Sequence, residues 1–181
     1  MLKKFVPFAH ALNIYEVSVD FYIKNNIKVI LCDLDNTLDA YNVFSPSEKA
    51  HELVKKIQEN NIDFYIISNN HGKRVKKYAS ELGVKCVFGA RKPFAFKVKK
   101  FLKQMKIKKE NVIIIGDQTV TDIACANGAK IKSILTDKLV EIDQPTTRFN
   151  RFFDKRIRKR LLKKNLLIDW RNYLWVFSKK S

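Results

Sequence analysis

Five times along this chain a short, β-rich apolar run stops abruptly on polar residues and gives way to a stretch with helical spacing. Residues 28–33 are the clearest opening case: Val29, Ile30, Leu31 and Cys32 read as a strand buried on both faces, and Asp33 closes it. Pro46 suits the first helical position of the next element, in which Ala50, Leu53, Val54 and Ile57 recur at helical intervals. Residues 62–67 form a second strand ending at Ser68, Asn69 and Asn70, and Val75, Tyr78, Ala79 and Leu82 mark a second helix stopped by Gly83. Residues 86–88 make a weak third strand. Beyond Arg91, Lys92 and Pro93, a basic helix runs to about Met105. Residues 111–115 form the fourth strand, closed by Gly116 and Asp117, followed by a short helix over 119–127 halted by Gly128 and a fifth strand over 131–135. This alternation predicts an α/β fold, a doubly wound, Rossmann-like parallel sheet with its functional groups at the carboxyl ends of the strands.

At 181 residues, with 46% hydrophobic and 12% aromatic residues, the chain can bury one sizeable core. No apolar run approaches the roughly 20 residues that span a bilayer. The net charge of +18 directs the molecule toward polyanions, and its distribution is uneven. Twelve Lys or Arg and two Asp lie within 146–181, which therefore carries ten of those charges. The expected organisation is a core over 1–145 with an N-terminal extension and a basic, aromatic tail over 146–181. An overall richness in Asn, Ile and Lys offers a plainer source for part of the charge, namely genome composition. Cys32, Cys86 and Cys125 form neither a CxxC pair nor an even set, so a reducing, cytoplasmic location is expected. Pro7, His10, Asn13 and Glu16 interrupt any signal-peptide core.

The polar residues at the strand ends converge on one crevice: Asp33 and Asp35, Ser68, Lys92, and Asp117 with Asp122. Carboxylates gathered without His or Cys are poor zinc ligands and suit Mg2+, a hard cation that prefers oxygen donors. Lys92 and Ser68 remain for an anion, and a divalent cation, an ammonium and a hydroxyl are what phosphoryl transfer requires. Taken singly, each residue has a structural explanation. An Asp at a strand end caps or turns the chain, Thr37 stabilises a turn, and Ser68 caps a helix. The set in one crevice favours chemistry. Asn70, His71 and Arg91 are expected to line the crevice, whereas His10 and His51 have no evident partner.

Asp33-x-Asp35-x-Thr37, then Ser68, then Lys92 before Pro93, then Gly116 and Asp117 with Asp122, resemble in order and strand context the four motifs of the haloacid dehalogenase superfamily of phosphohydrolases. The finer text around Ser68 to Asn70, Ala90 to Pro93, Gly116 to Asp122 and Thr147 to Arg151 is similar to subclass IIIA, the YqeG family. The resemblance implies that Asp33 is the nucleophile, forming an aspartyl phosphate, and that Asp35 is the general acid and then base, its carbonyl also binding the metal. It implies Mg2+ held by Asp33, Asp35, Asp117 and Asp122, with Lys92 neutralising phosphoryl and carboxylate charge. Thr37, Ser68, Asn69 and Lys92 would bind the phosphorylated substrate.

The segments between the motifs leave no room for a cap domain, and the resemblance then implies a large substrate or an oligomer as the cover of the crevice. The YqeG family is similar to phosphatases that act on phosphatidylglycerophosphate, so a lipid-borne phosphate and a peripheral, anionic membrane surface are the expected partners. The tail combines clustered Lys and Arg with Leu161, Leu162, Leu166, Ile168, Trp170, Tyr173, Trp175 and Phe177, which suits either an interfacial helix or packing on the core. A nucleic-acid end phosphatase or RNA-associated factor is the alternative.

Overall fold

In a computed structural model, which describes residues 2–70, 72–140 and 148–175, the apolar runs become strands β1 (Ala9–Ala11), β2 (Val29–Cys32), β3 (Asp63–Ile67), β4 (Lys85–Val87), β5 (Val112–Gly116) and β6 (Lys132–Thr136). All pair in parallel, in the order β1-β6-β5-β2-β3-β4. The chain builds outward from β2 to β4, then crosses back to β5 on the opposite side. The strand order therefore reverses between β2 and β5, and the loops leaving these two strands part there to form a crevice.

Two helical layers cover the sheet because alternate strand residues face opposite ways. Ile30, Cys32, Phe64, Ile66, Ile113 and Ile115 point to the layer of α1 (Val19–Lys24), α2 (Glu48–Glu59) and α3 (Lys73–Glu81). Val29, Leu31, Tyr65, Ile67, Val112 and Ile114 point to α4 (Phe96–Gln104) and α5 (Ala124–Ala129). Between β2 and β3 there is only a turn and α2, and between β3 and β4 only α3, so no cap domain interrupts the fold.

The helices leave their layers by one recurring device. Asn26, Asn61, Gly83, Lys106 and Lys130 each take a left-handed conformation, and the next residue's N–H bonds back to a carbonyl five positions earlier, as in Ile62 to Ile57 and Ile131 to Ala126. This closure claims Ile62 and Ile131 for the helix exits, so β3 and β6 begin one residue later than the apolar runs suggest. Gly128 does not halt α5, which runs to Ala129 before Lys130 turns the chain. A Cβ at Gly128 would stand 3.2 Å from the Cβ of Ala95, so this glycine serves close packing instead. Pro46 likewise precedes α2: Ser47 is the cap, accepting the Ala50 N–H at 3.2 Å.

The sequence pattern missed β1 and α1, and the described part of the tail builds onto them. Helix α6 (Arg148–Lys163) buries Leu161, and residues 168–170 run beside β1, with the His10 N–H donating to the Ile168 carbonyl at 2.7 Å and the Trp170 N–H to the His10 carbonyl at 3.0 Å. These bonds cover an edge that would otherwise offer unpaired backbone groups. Trp170, 5% exposed, packs edge-on against Phe21 with ring centroids 6.1 Å apart, just before α7 (Asn172–Trp175). His10, which had no partner in the sequence, lies 3.3 Å from the Asp137 carboxylate through Nε2. No helix among the described residues is long and apolar enough to cross a membrane. Because Trp170 belongs to the core, Trp170→Ala should lower the free energy of unfolding by about 3–5 kcal/mol, measured by urea denaturation of the full chain.

Candidate active site

The crevice at the carboxyl ends of β2 and β5 is floored by acid. Asp33 follows β2, and Asp117 follows β5. Asp122 is brought back toward them by a π-helical turn over Thr119–Ile123, in which the Asp122 carboxylate accepts the Gln118 N–H at 3.1 Å and the Thr121 hydroxyl at 3.2 Å. A carboxylate oxygen of each of these three residues lies within 4.8 Å of the others, and all three residues are buried. Gly116 makes room for this: a Cβ there would collide with the Asp122 carboxyl group.

Two cations answer the three acids. Lys92, 6% exposed, places Nζ 2.5 Å from Asp33 Oδ1 and 2.6 Å from Asp122 Oδ1. Its backbone is held by Asn69, whose Oδ1 accepts the Lys92 N–H at 2.6 Å and whose Nδ2 donates to the Lys92 carbonyl at 2.9 Å. Arg151, from α6, reaches in to place Nη2 2.5 Å from Asp117 Oδ2. Asp117 Oδ1 is buried with no hydrogen-bond partner among the described residues. An orphan carboxylate oxygen within an all-oxygen set is where a hard divalent cation fits, and Asp33, Asp117 and Asp122 are the groups that would hold it.

The remaining expected site residues occupy the crevice walls. Asp35 is outside the three-carboxylate cluster; its Oδ1 accepts from Arg74 and its Oδ2 from the Asn70 amide, both at 2.7 Å. Asn36 takes a positive φ of 62° in the same turn, which swings the chain back so that its N–H meets the Asp39 carbonyl at 2.7 Å. Thr37 is fully buried in that turn, and its Oγ1 has no hydrogen-bond partner among the described residues. Ser68 Oγ accepts the Asn70 N–H at 3.1 Å. Arg91 is exposed, and His71 lies outside the described residues.

Arg74, Asp154 and Arg158 carried little signal in the sequence. Arg158 donates to the carbonyls of Asp117 and Thr136, both at 2.6 Å, and Asp154 Oδ1 accepts from the N–H and hydroxyl of Thr119, both at 2.6 Å. Arg151 closes the Thr147 to Arg151 text that resembles the YqeG family, and the three-to-four-residue spacing of Arg151, Asp154, Arg158 and Leu161 marks one helical face. Arg74 stood among many Lys and Arg with nothing to distinguish it.

Burial dominates the electrostatics. It raises the proton affinity of Asp33 well above the ordinary carboxylate range, with Asp122, Asp117 and Asp35 adding to it and Lys92 opposing. Burial also lifts Asp117 from 3.8 to about 6, against the pull of Arg151. Burial alone would push the Lys92 ammonium down, but Asp122 and Asp33 outweigh it, and Lys92 stays charged. The folded Asp117 carboxyl holds its proton more tightly than the unfolded one, so its contribution to stability in the cation-free protein falls as pH rises from 3.8 toward about 6. A bound divalent cation takes the proton's place. Millimolar Mg2+ should therefore raise the thermal midpoint at pH 7.5, with the rise shrinking at pH 5.5 as protons compete, as measured by differential scanning fluorimetry. Gly116→Ala, by displacing Asp122, should remove most of the rise at pH 7.5.

Comparison with known proteins gives this geometry its lineage. The chain is 34% identical over 171 residues to "Probable phosphatase YqeG" of Bacillus subtilis (strain 168), covering 94% of this chain and 99% of that one. Among solved structures, the fold resembles a hypothetical protein from Xanthomonas campestris, with a TM-score of 0.52, 12% identity and coverage of 75% of this chain and 76% of the other. It also resembles an uncharacterized protein from Listeria monocytogenes serotype 4b, with a TM-score of 0.50, 15% identity and coverage of 74% and 99% respectively. Residues 12–136 match the family described as haloacid dehalogenase-like hydrolase. With its parallel sheet and buried acidic cluster at the strand ends, the chain belongs to the haloacid dehalogenase-like hydrolases.

Proposed function

We propose that this protein is a Mg2+-dependent phosphomonoester hydrolase that works through a phosphorylated Asp33, on a lipid-borne phosphate such as that of phosphatidylglycerophosphate. The observation that carries the reaction class is the placement of Asp33, Asp117 and Asp122 within 4.8 Å of one another, with Lys92 at 2.5 Å from Asp33. The name of the 34% identical Bacillus subtilis relative agrees with it.

In the first step an Asp33 carboxylate oxygen forms a bond to phosphorus as the bond from phosphorus to the leaving oxygen breaks, and Asp35 gives that oxygen its proton. For this, an Asp35 carboxyl oxygen must reach the leaving oxygen from a side chain that also accepts hydrogen bonds from Arg74 and Asn70. In the second step Asp35 takes a proton from water, whose oxygen attacks phosphorus and releases inorganic phosphate and the free Asp33 carboxylate. Lys92 offsets the charge on Asp33 and on the phosphoryl oxygens throughout. The Ser68 hydroxyl and the unpartnered Thr37 Oγ1 are suited to phosphoryl oxygens. A divalent cation, when bound, supplies the Lewis acidity that makes the phosphorus electrophilic.

Two features support the lipid substrate. The crevice has no cap to enclose a small metabolite. Beside the loop that follows Asp117 lies an open, apolar groove of about 590 Å3, lined by Leu2, Phe5, Val120, Phe153 and Ile157 together with Arg160 and Lys164. Apolar walls with basic residues suit a molecule that joins acyl chains to an anionic head. Phe152 and Leu162, at 51% and 61% exposed, lie nearby in sequence on the same basic helix.

Phosphate release should be measured with Mg2+ on phosphatidylglycerophosphate in vesicles, on sugar phosphates and on terminal phosphates of RNA. Turnover is expected on the lipid and is abolished in Asp33→Asn. Asp35→Asn should slow turnover by about 100- to 10,000-fold and accumulate phosphoenzyme. Turnover confined to sugar phosphates, or to RNA ends, would refute the lipid assignment while leaving the reaction class intact.

A further inference from the structure

We propose that Asp154 and Arg158, one turn apart on α6, are positioning residues for the divalent cation: by fixing the chain at Asp117 and at the start of the turn that carries Asp122, they set the affinity of the site for Mg2+. This rests on the hydrolase reading above, and both residues lie beyond 12–136, the part of the chain that matches the haloacid dehalogenase-like family.

Arg158 closes the end of the sheet beside the site. The pairing of β5 with β6 ends at Gly116 and Leu135, and the carbonyls of the next two residues, Asp117 and Thr136, both accept from Nη2 of Arg158 at 2.6 Å. Nη1 of the same guanidinium donates to Asp137 Oδ1 at 2.7 Å, and Nε donates to Asp154 Oδ2 at 2.9 Å. The other oxygen of Asp154, Oδ1, accepts the N–H and the hydroxyl of Thr119, both at 2.6 Å. Thr119 opens the π-helical turn, and its N–H is one that the turn itself leaves unpaired. Asp154 is 3% exposed, so the loss of any of these bonds leaves a buried polar group unsatisfied.

The pair thus governs two of the three carboxylates and spares the third. Asp117 is fixed at its own carbonyl, and Asp122 through the turn that begins three residues before it. Asp33 is placed from another direction, by its N–H on the Ile115 carbonyl at 2.8 Å and by Lys92. Mg2+ demands near-ideal octahedral geometry and tolerates little drift among its carboxylates. Groups that orient the ligands of a metal are typically worth about 10- to 100-fold in its affinity. In the cation-free protein the three carboxylates repel one another, so a loop released from α6 would let Asp117 and Asp122 spread from Asp33. Arg158→Lys would keep the charge, but one nitrogen cannot serve acceptors on three sides as the guanidinium fork does.

Calorimetric titration of the full chain with Mg2+ at pH 7.5 tests this, with thermal melts in EDTA to report folding separately. Asp154→Asn and Arg158→Lys should each weaken Mg2+ binding by about ten- to a hundredfold. Lys159→Gln, on the exposed side of the same helix, should bind as wild type does. Because the two residues act as one unit, the double variant should lose little more than the worse single one. In phosphate release the loss should appear as a higher Mg2+ requirement, with kcat recovering as Mg2+ is raised. Variants that melt earlier in EDTA yet bind Mg2+ as tightly as wild type would overturn the proposal and leave Asp154 and Arg158 as supports of the fold alone. If neither variant folds, the same criterion is applied to Thr119→Val, which deletes only the hydroxyl that donates to Asp154. A wild-type protein that binds Mg2+ but releases phosphate from no phosphomonoester would refute the hydrolase reading, while the affinity lost in the variants would still support the positioning role.

Discussion

The Lys92 ammonium, buried between Asp33 and Asp122 at 2.5 and 2.6 Å, is the interaction on which the rest of the site depends. Three carboxylates so close in a medium of low polarity repel one another strongly, and removing a partner from a buried pair is costly because it leaves an uncompensated charge. The fold answers by importing positive charge from two distant places, the loop after β4 and the face of α6. Asn69 grips the Lys92 backbone from the end of β3, and so fixes the ammonium between strand ends that are remote in sequence. Even so the compensation is partial, as the elevated proton affinity of Asp117 shows. A site built in this way is tuned to accept one more positive charge.

Periodicity made the sheet legible wherever a run was long and branched. Residues 29–32, 64–67 and 112–115 are buried on both faces of the sheet, and their unbroken hydrophobicity follows directly. Ala9, His10 and Ala11 gave no such signal: a three-residue edge strand has little side chain to bury, and its pairing with β6 is stabilised by the remote segment around Trp170. One helix end was misread, at Gly128, where Lys130 makes the exit instead. Glycine is the expected left-handed residue, yet Asn26, Asn61, Lys106 and Lys130 do the same work, because the backbone closure to the preceding turn and the burial of the following isoleucine or other apolar residue outweigh the modest penalty of a side chain at positive φ.

The candidate site was legible to the extent that its residues lay at strand ends. Asp33, Asp117 and Asp122 could be grouped because the parallel topology sends every strand's carboxyl end to one side. Arg74 could not, and Arg151 was marked only by the resemblance of Thr147 to Arg151, which gave it no place in the site. Arg74 and Arg151 lie on helices, in a chain with 36 Lys and Arg, where a functional guanidinium looks the same as a solvated one. What separates them is tertiary: a partner carboxylate at 2.7 Å for one and at 2.5 Å for the other.

The basic tail therefore has two chemically distinct faces, and treating it only as a charge reservoir would miss how it works. Arg151, Asp154, Arg158 and Leu161 turn toward the sheet, where they complete the crevice and bind the loop bearing Asp117 and Thr119. Lys155, Lys159 and Lys163 are exposed on other sides of the same helix, with Arg156 stacked 4.0 Å from the ring centroid of Phe152. Since a helix is stiff over this length, a force on the outer face is transmitted to the inner one with little loss. The outer lysines therefore belong to the same rigid element that sets the position of Arg151 against Asp117.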